Sequence, residues 1–311
     1  MKLLHENKAA FDEIIKSASH ITGIKLPYIE KDYYVFMTLK LMNVYNENLM
    51  FKGGTSLSKA WHILERFSED IDVNLLPEIN STDSTRQKMA NSVINALNTM
   101  GLPFNRDDIH RRQEYNTYLG NYDSLYSGIS TSLLKELKIE TMANKKGKIL
   151  NATYTPCWIS NYIWDALNNK YGPRFIEFGI DPFVMNTQNM DVTFVEKCMS
   201  LANHYIKGDS VRVSRHLYDI FIMGIRGNLL SFNLRYTIDE TKRYLMERTN
   251  DLCLRQSVPA SEILKQALYN DFYRLDFETS TNGLKYNIND GITYDICKEY
   301  LLRLINEIGV F

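Results

Sequence analysis

No stretch of this 311-residue sequence reaches the ~18 to 20 consecutive apolar residues of a membrane-spanning helix, which excludes such a span. The opening residues Met1-Lys2-Leu3-Leu4-His5-Glu6 carry charge where a signal peptide needs its hydrophobic stretch. Cysteine is scarce and scattered: Cys157, Cys198, Cys253 and Cys297 form no CxxC pair and no short metal-ligand spacing. We therefore expect reduced thiols and a cytoplasmic setting. A surplus of charge is also missing. With a net charge of -1 the chain is not built to coat nucleic acid by bulk electrostatics, although a local basic groove for one nucleotide or one RNA end stays open. There is no internal repeat and no Pro/Gly-rich linker. What is present is ordinary for a folded protein: 44% hydrophobic and 23% charged residues, enough for one large domain or two average ones.

Periodicity sets out the elements. The first 45 residues read as two helices, the second with Pro27 in its first turn and Ile29, Tyr33, Phe36, Leu39 and Met42 at helical spacing. Leu49-Met50-Phe51 is a short strand running into Gly53-Gly54, residues 55 to 67 look helical, and Asp70 to Leu75 alternates as a strand. Glu78 to Ser84 is a loop before a helix ending about Met100. Residues 114 to 142 are rich in tyrosine and β-formers, and Leu137-Lys138-Ile139-Glu140-Thr141 alternates as a half-buried strand. Asn144-Lys145-Lys146-Gly147 marks a turn before a possible strand at 152 to 158. From about residue 191 the pattern is helix after helix, with Thr193/Glu196 and Thr237/Glu240 read as capping boxes, then Ser261 to Asn270 and Ile292 to Ile308. The expectation is an α+β chain: residues 1–190 a core with a mixed sheet flanked by helices, residues 191–311 a helical domain closing a cleft over it.

The chemistry concentrates in Phe51-Lys52-Gly53-Gly54-Thr55-Ser56-Leu57-Ser58-Lys59 and Ser68-Glu69-Asp70-Ile71-Asp72. Two glycines after a strand let backbone N–H groups approach a phosphate, and Thr55, Ser56 and Ser58 add hydroxyls. Asp70 and Asp72 flank Ile71, so on a strand both carboxylates leave one face, with backbones ~7 Å apart. Carboxylates so placed hold hard divalent cations for displacement at phosphorus. Either half alone is a commonplace; together, in this order, they form one phosphate-plus-metal unit.

Gly53-Gly54-Thr55-x-Leu57-Ser58-Lys59 with Arg66-Phe67-Ser68-Glu69-Asp70-Ile71-Asp72 resembles the first motif of the AbiEii/AbiGii-type abortive-infection toxins, which are polymerase-β-like nucleotidyltransferases. Ile29-Glu30-Lys31-Asp32-Tyr33 resembles that family's N-terminal helix, and Glu196-Lys197 and Arg215-His216-Leu217-Tyr218-Asp219 its later motifs, so the likeness runs from about 28 to 222. Cys198 and His216 depart from the residues common at those places. The resemblance implies a polymerase-β-like core with a helical C-terminal part, and a toxin of a type IV toxin–antitoxin pair active in phage defence. It also implies a nucleoside triphosphate donor, Mg²⁺ (or Mn²⁺), a cognate antitoxin that regulates transcription, and tRNA as the leading acceptor. Gly53, Gly54, Thr55, Ser56, Lys59, Arg66 and Arg215 become candidates for nucleotide binding, and Asp70, Asp72, Lys197 and Asp219 for catalysis.

Spacing gives the later motifs a physical sense of their own. Lys197 and Asp219 are equidistant from Gly208, so a helical hairpin turning at Gly208-Asp209-Ser210 sets them side by side, with Arg215 one turn before Asp219. Read without a family, they make an ordinary surface ion pair. Glu140 is the candidate third metal ligand beside Asp70 and Asp72; on pattern alone it reads equally as a solvent-facing strand glutamate. His62, His204 and His216 lack partners at metal-ligand spacing and read as structural or surface residues. Tyr115, Tyr118, Tyr122 and Tyr126 could stack on bases but more often such residues pack in strands, and Lys135, Lys138, Lys145, Lys146 and Lys148 make a basic cluster at a solvated turn. The reading is a nucleotidyltransferase; a small-molecule (antibiotic-type) nucleotidyltransferase and a non-catalytic nucleotide-binding regulator are its rivals.

Overall fold

A computed structural model describes residues 2–104, 110–111, 115–134, 136–143, 153–227, 234–248, 252–287 and 289–308. The turn expected at 144–147 and Lys135, Lys145, Lys146 and Lys148 of the basic cluster lie outside the described residues. The chain divides into two units: Met1–His62, Phe67–Ile149 and Tyr154–Thr187 form the first, and Ile63–Arg66, Leu150–Thr153 and Gln188–Phe311 the second.

The first unit is a mixed sheet flanked by helices. Its strands are β1 (Leu49–Lys52), β2 (Ile71–Leu75), β3 (His110–Arg111), β4 (Tyr115–Gly120), β5 (Leu137–Met142), β6 (Tyr154–Ile159) and β7 (Phe183–Gln188), in the order β3-β4-β5-β2-β1-β7-β6. β2 runs antiparallel to β1 and parallel to β5, while β4 is antiparallel to β5 and β7 parallel to β1. Ile71 and Val73 on β2 and Ile139 on β5 are buried, as their alternation requires. The helices are α1 (Lys8–Thr22), α2 (Leu26–Tyr45), α3 (Gly53–Lys59), α4 (Asp83–Thr99) and α5 (Tyr162–Glu177).

Helix α2 is buried on every side rather than along one stripe. Ile29, Tyr33, Phe36, Leu39 and Met42 are fully buried, but so are Glu30 and Lys31, with Asp32 close behind. A charge survives such burial only when it is paired. Glu30 accepts from the Ser124 hydroxyl and, at 2.8 Å, from the Leu125 amide, while Lys31 and Asp32 are tied to the segment around the glycine turn. The helix expected over 55 to 67 is shorter than its periodicity suggests. It stops at Lys59, the backbone takes φ +53° at His62, and Ile63–Arg66 joins the second unit.

In the second unit, α6 (Met190–Lys207) and α7 (Arg215–Arg226) are followed by α8 (Leu234–Arg248), α9 (Ala260–Tyr269), a run of short helical turns over Arg274–Leu284, and a last helix, Tyr294–Ile308. Gly208 ends α6 with φ +70°, the left-handed turn that glycine takes at least cost. Thr193 and Glu196 do not cap: α6 already starts at Met190, and both side chains instead hold Gln188 Nε2, each at 3.0 Å. Thr237 likewise lies inside α8 and donates to Asp191 at 2.9 Å. The tetrapeptide Ile63–Arg66 is fixed here by Tyr286 N to Glu65 O (3.0 Å), Arg226 to Glu65 (2.8 Å) and a bridge from Arg66 to Lys285.

Candidate active site

Strand register assembles the acidic centre of the first unit. Thr117 pairs with Glu140, Glu140 with Asp72, and Asp72 with Lys52, so one row across four strands carries two adjacent carboxylates and a flanking lysine. Asp70 stands just before β2, and its backbone carbonyl accepts from the Thr55 hydroxyl. Gly53 opens α3 with φ +76°, and a Cβ there would lie 2.0 Å from Asp72 Oδ2. Only glycine lets the Asp72 carboxyl rest against that backbone. Asp72 and Glu140 share a hydrogen bond. Burial, then the charges of Glu140 and Asp70, push the Asp72 carboxyl up to about 8. Lys138, two residues before Glu140 on the same face of β5, is ion-paired to it. Burial alone would lower the Lys138 pKa; Glu140, Asp70 and Asp72 raise it instead. The Tyr115 hydroxyl also bonds Glu140, and burial together with that carboxylate raises its pKa.

Two buried ion pairs hold this centre from below. Lys31 reaches Glu69, the neighbour of Asp70, at 2.9 Å, and Asp32 meets Lys59, the last residue of α3, at 2.5 Å. Adjacent residues of one helix thus grip the chain on both sides of the loop between α3 and β2. Lys31 also donates to the carbonyls of Leu134 and Glu136, and Asp32 accepts from the Tyr162 amide. Asp32 is pushed up to about 6 by burial, with Lys59 opposing.

The second unit has a cationic centre of its own. Arg66 grips Asp219 with a fork, Nε at 2.7 Å and Nη2 at 2.6 Å, and Lys197 Nζ lies 2.9 Å from the same carboxylate. His216 Nδ1 is 3.2 Å from Lys197 Nζ. Burial would raise the Asp219 pKa, yet Arg66 and Lys197 hold it well below the usual carboxylate range. Burial lowers the pKa of Lys197, and burial with the charges of Lys197 and Arg215 drives that of His216 well down. Arg66, Lys197, Arg215 and Asp219 thus form one charged cluster in the second unit.

The residues singled out from sequence therefore fall into three groups. Asp70, Asp72, Glu140, Gly53 and Gly54 gather at one place, the glycines partly exposed. Lys197, Asp219, Arg66 and the half-buried Arg215 gather at another. Thr55, Ser56 and Lys59 are buried and tied to the protein itself: Thr55 to Asp70 and Ser68, Ser56 to the Gly53 carbonyl at 2.8 Å, Lys59 to Asp32. Of the tyrosines, Tyr122 stacks on Tyr34 at 4.5 Å and Tyr126 bonds Asp12, both packing roles. His216 is the histidine brought into a charged cluster. Lys52, Lys138 and Tyr115 around the carboxylates were not marked as site residues. Lys138 was within reach, since it shares a strand face with Glu140; Lys52 needed the register.

Among the described residues no three acidic, histidine or cysteine side chains converge tightly enough to hold an ion as they stand. Their chemistry nevertheless fits a hard divalent cation. The donors are all carboxylates, and burial together with the charges of Glu140 and Asp70 keeps Asp72 protonated near neutrality, a cost that a bound cation would relieve.

The profile of the family described as nucleotidyl transferase AbiEii toxin, type IV TA system, matches residues 41–290. The match begins after Ile29–Tyr33 and continues well beyond Asp219, into residues where the sequence offered no recognisable motif. No curated protein sequence matches the chain. Among solved structures, MenT4, a nucleotidyltransferase toxin from Mycobacterium tuberculosis H37Rv, is similar at 14% identity and TM-score 0.42, over 94% of this chain and 98% of that one.

Proposed function

This chain belongs to the AbiEii nucleotidyl transferase toxin family of type IV toxin–antitoxin systems, and from that premise we propose that it transfers a nucleoside monophosphate from a triphosphate to an acceptor hydroxyl. The observation that carries the proposal is the register of Asp72 against Glu140, with Asp70 beside them and the Gly53 turn pressed on the Asp72 carboxyl.

In the proposed reaction the acceptor oxygen bonds to the α-phosphorus, the bond to the β-phosphate breaks, and pyrophosphate leaves. Asp70, Asp72 and Glu140 would hold Mg²⁺ or Mn²⁺, which when bound supplies Lewis-acid neutralisation of the phosphates. The partly exposed Gly53-Gly54 turn offers backbone N–H groups to a phosphate. Within the second unit, Asp219 holds Arg66 and Lys197 in one ion-paired cluster, with Arg215 beside it. The buried Thr55, Ser56 and Lys59 act by shaping the turn rather than by touching substrate. Family membership implies a cognate antitoxin; a transcriptional regulator in that role, the 3′ end of tRNA as acceptor, and a cytoplasmic site of action complete the proposal. No helix among the described residues is long and apolar enough to cross a membrane.

The test is incubation with each α-³²P-labelled nucleoside triphosphate, Mg²⁺ and total bacterial RNA, beside an Asp70→Ala/Asp72→Ala control. Label in tRNA from the unaltered protein alone supports the whole proposal. Label in an aminoglycoside instead keeps the chemistry and changes the acceptor. Nucleotide binding without transfer to RNA, protein or small molecule overturns it in favour of a regulator.

A further inference from the structure

Lys138 stands in an unusual position for a lysine beside a candidate metal site. Its ammonium is ion-paired to Glu140, whose register partner is Asp72, and both side chains of the pair keep under a third of their surface exposed. Glu140 is engaged three ways: by Lys138, by the Tyr115 hydroxyl and by the hydrogen bond it shares with Asp72. Glu140 is thus turned toward protein partners, and among the described residues no three acidic, histidine or cysteine side chains converge to hold an ion. On the other side of Asp72 stands Lys52, its antiparallel register partner. The site carries its own partial neutralisation before any ion arrives.

We infer that Lys138 is the resident counter-cation of the carboxylate site, occupying Glu140 until a divalent cation displaces it. The inference rests on the reading of Asp70, Asp72 and Glu140 as metal ligands. Entry of a cation requires Glu140 to turn away from Lys138, and the cation then meets the ammonium as a like charge. The metal-free protein therefore binds a bare cation weakly and takes it up best when nucleotide phosphates bring compensating negative charge. Lys138 acts as a specificity device: it disfavours metal without nucleotide. It is a positioning residue, since it works through Glu140.

The measurement is Mn²⁺ affinity by titration calorimetry, without nucleotide and with a non-hydrolysable triphosphate, for the unaltered protein, Lys138→Met, Lys138→Gln, Lys138→Arg and Asp72→Asn. Removing the ammonium should tighten Mn²⁺ binding without nucleotide by about three- to tenfold, the size of one screened like-charge repulsion. The advantage conferred by the triphosphate should shrink by the same factor, and Lys138→Arg should behave as the unaltered protein. Damage to the fold would weaken binding, so tighter binding separates the proposed role from a structural one. The neutral variants binding Mn²⁺ no more tightly than the unaltered protein, while Asp72→Asn loses it, would overturn the role of Lys138 and leave the metal reading standing. Absence of saturable Mn²⁺ binding in the unaltered protein, with and without nucleotide, would overturn both.

Discussion

Replacing Lys31 with methionine should cost the first unit about 3 to 5 kcal/mol, because Glu69 would be left charged and buried without its partner. Both side chains of this pair are sealed from water. The three ammonium protons are all used, on Glu69 Oε2 at 2.9 Å, the Leu134 carbonyl at 2.6 Å and the Glu136 carbonyl at 3.0 Å. Methionine fills the space but satisfies none of them. Glu69→Leu should cost a similar amount by stranding the ammonium. In the double variant no charge is buried, and what remains is the loss of hydrogen bonds to the Leu134 and Glu136 carbonyls and from the Leu134 amide, at about 1 kcal/mol each. The double variant should therefore cost about 3 kcal/mol, far short of the sum of the singles, with a coupling of about 3 kcal/mol or more. Urea unfolding followed by tryptophan fluorescence reads this directly, since Trp61, Trp158 and Trp164 all lie in the first unit. Additive costs, or singles below about 1 kcal/mol, would refute the reasoning and reduce the pair to the status of a surface contact.

Two further outcomes concern pH. The folded chain keeps a proton on Asp72 between about pH 4 and pH 8 that the unfolded chain has lost, so this group makes stability fall as pH rises through that window. Asp72→Asn should remove the effect, its melting temperature gaining on the unaltered protein from about pH 5 to about pH 8; parallel curves would refute it. Asp219 has the opposite sign. Its depressed pKa contributes stability above the ordinary aspartate value of 3.8, lost as pH falls through the lower folded value. Asp219→Asn should destabilise the second unit by about 3 to 5 kcal/mol near neutrality, and by less in acid, as followed by far-UV circular dichroism.

Much of the site was legible because its signals are local. Gly53-Gly54 and Asp72 need only a turn and a strand, which begins at Ile71 just after Asp70, and the alternation of Leu137 to Thr141 leaves Glu140 on the less buried face of its strand, in register with Asp72. The pairing of Lys197 with Asp219 followed from counting outward from a helical turn at Gly208. What failed depended on distant partners. Nothing local in the sequence signals that Lys31 and Asp32 are buried; their partners Glu69 and Lys59 come from other elements. Thr193 and Glu196 match a capping box letter for letter, yet the helix begins earlier and both serve Gln188. The helix expected through residue 67 ends at Lys59 because the next residues are held elsewhere, Arg66 by Asp219 above all. Periodicity cannot register a chain that leaves its own unit for four residues.

That excursion of Ile63–Arg66 limits how the protein can be taken apart. A fragment starting at Gln188 would contain every helix from α6 to the C-terminus but not Arg66, and Asp219 would lose the guanidinium that grips both its oxygens. The second unit is therefore not modular in the sense of a segment that can be cut, fused or exchanged at one junction. Any chimera with another member of the family has to carry the tetrapeptide along with the C-terminal part. Exchange at Gln188 alone would graft a foreign arginine segment onto a native carboxylate, a mismatch invisible in a pairwise comparison of the C-terminal halves.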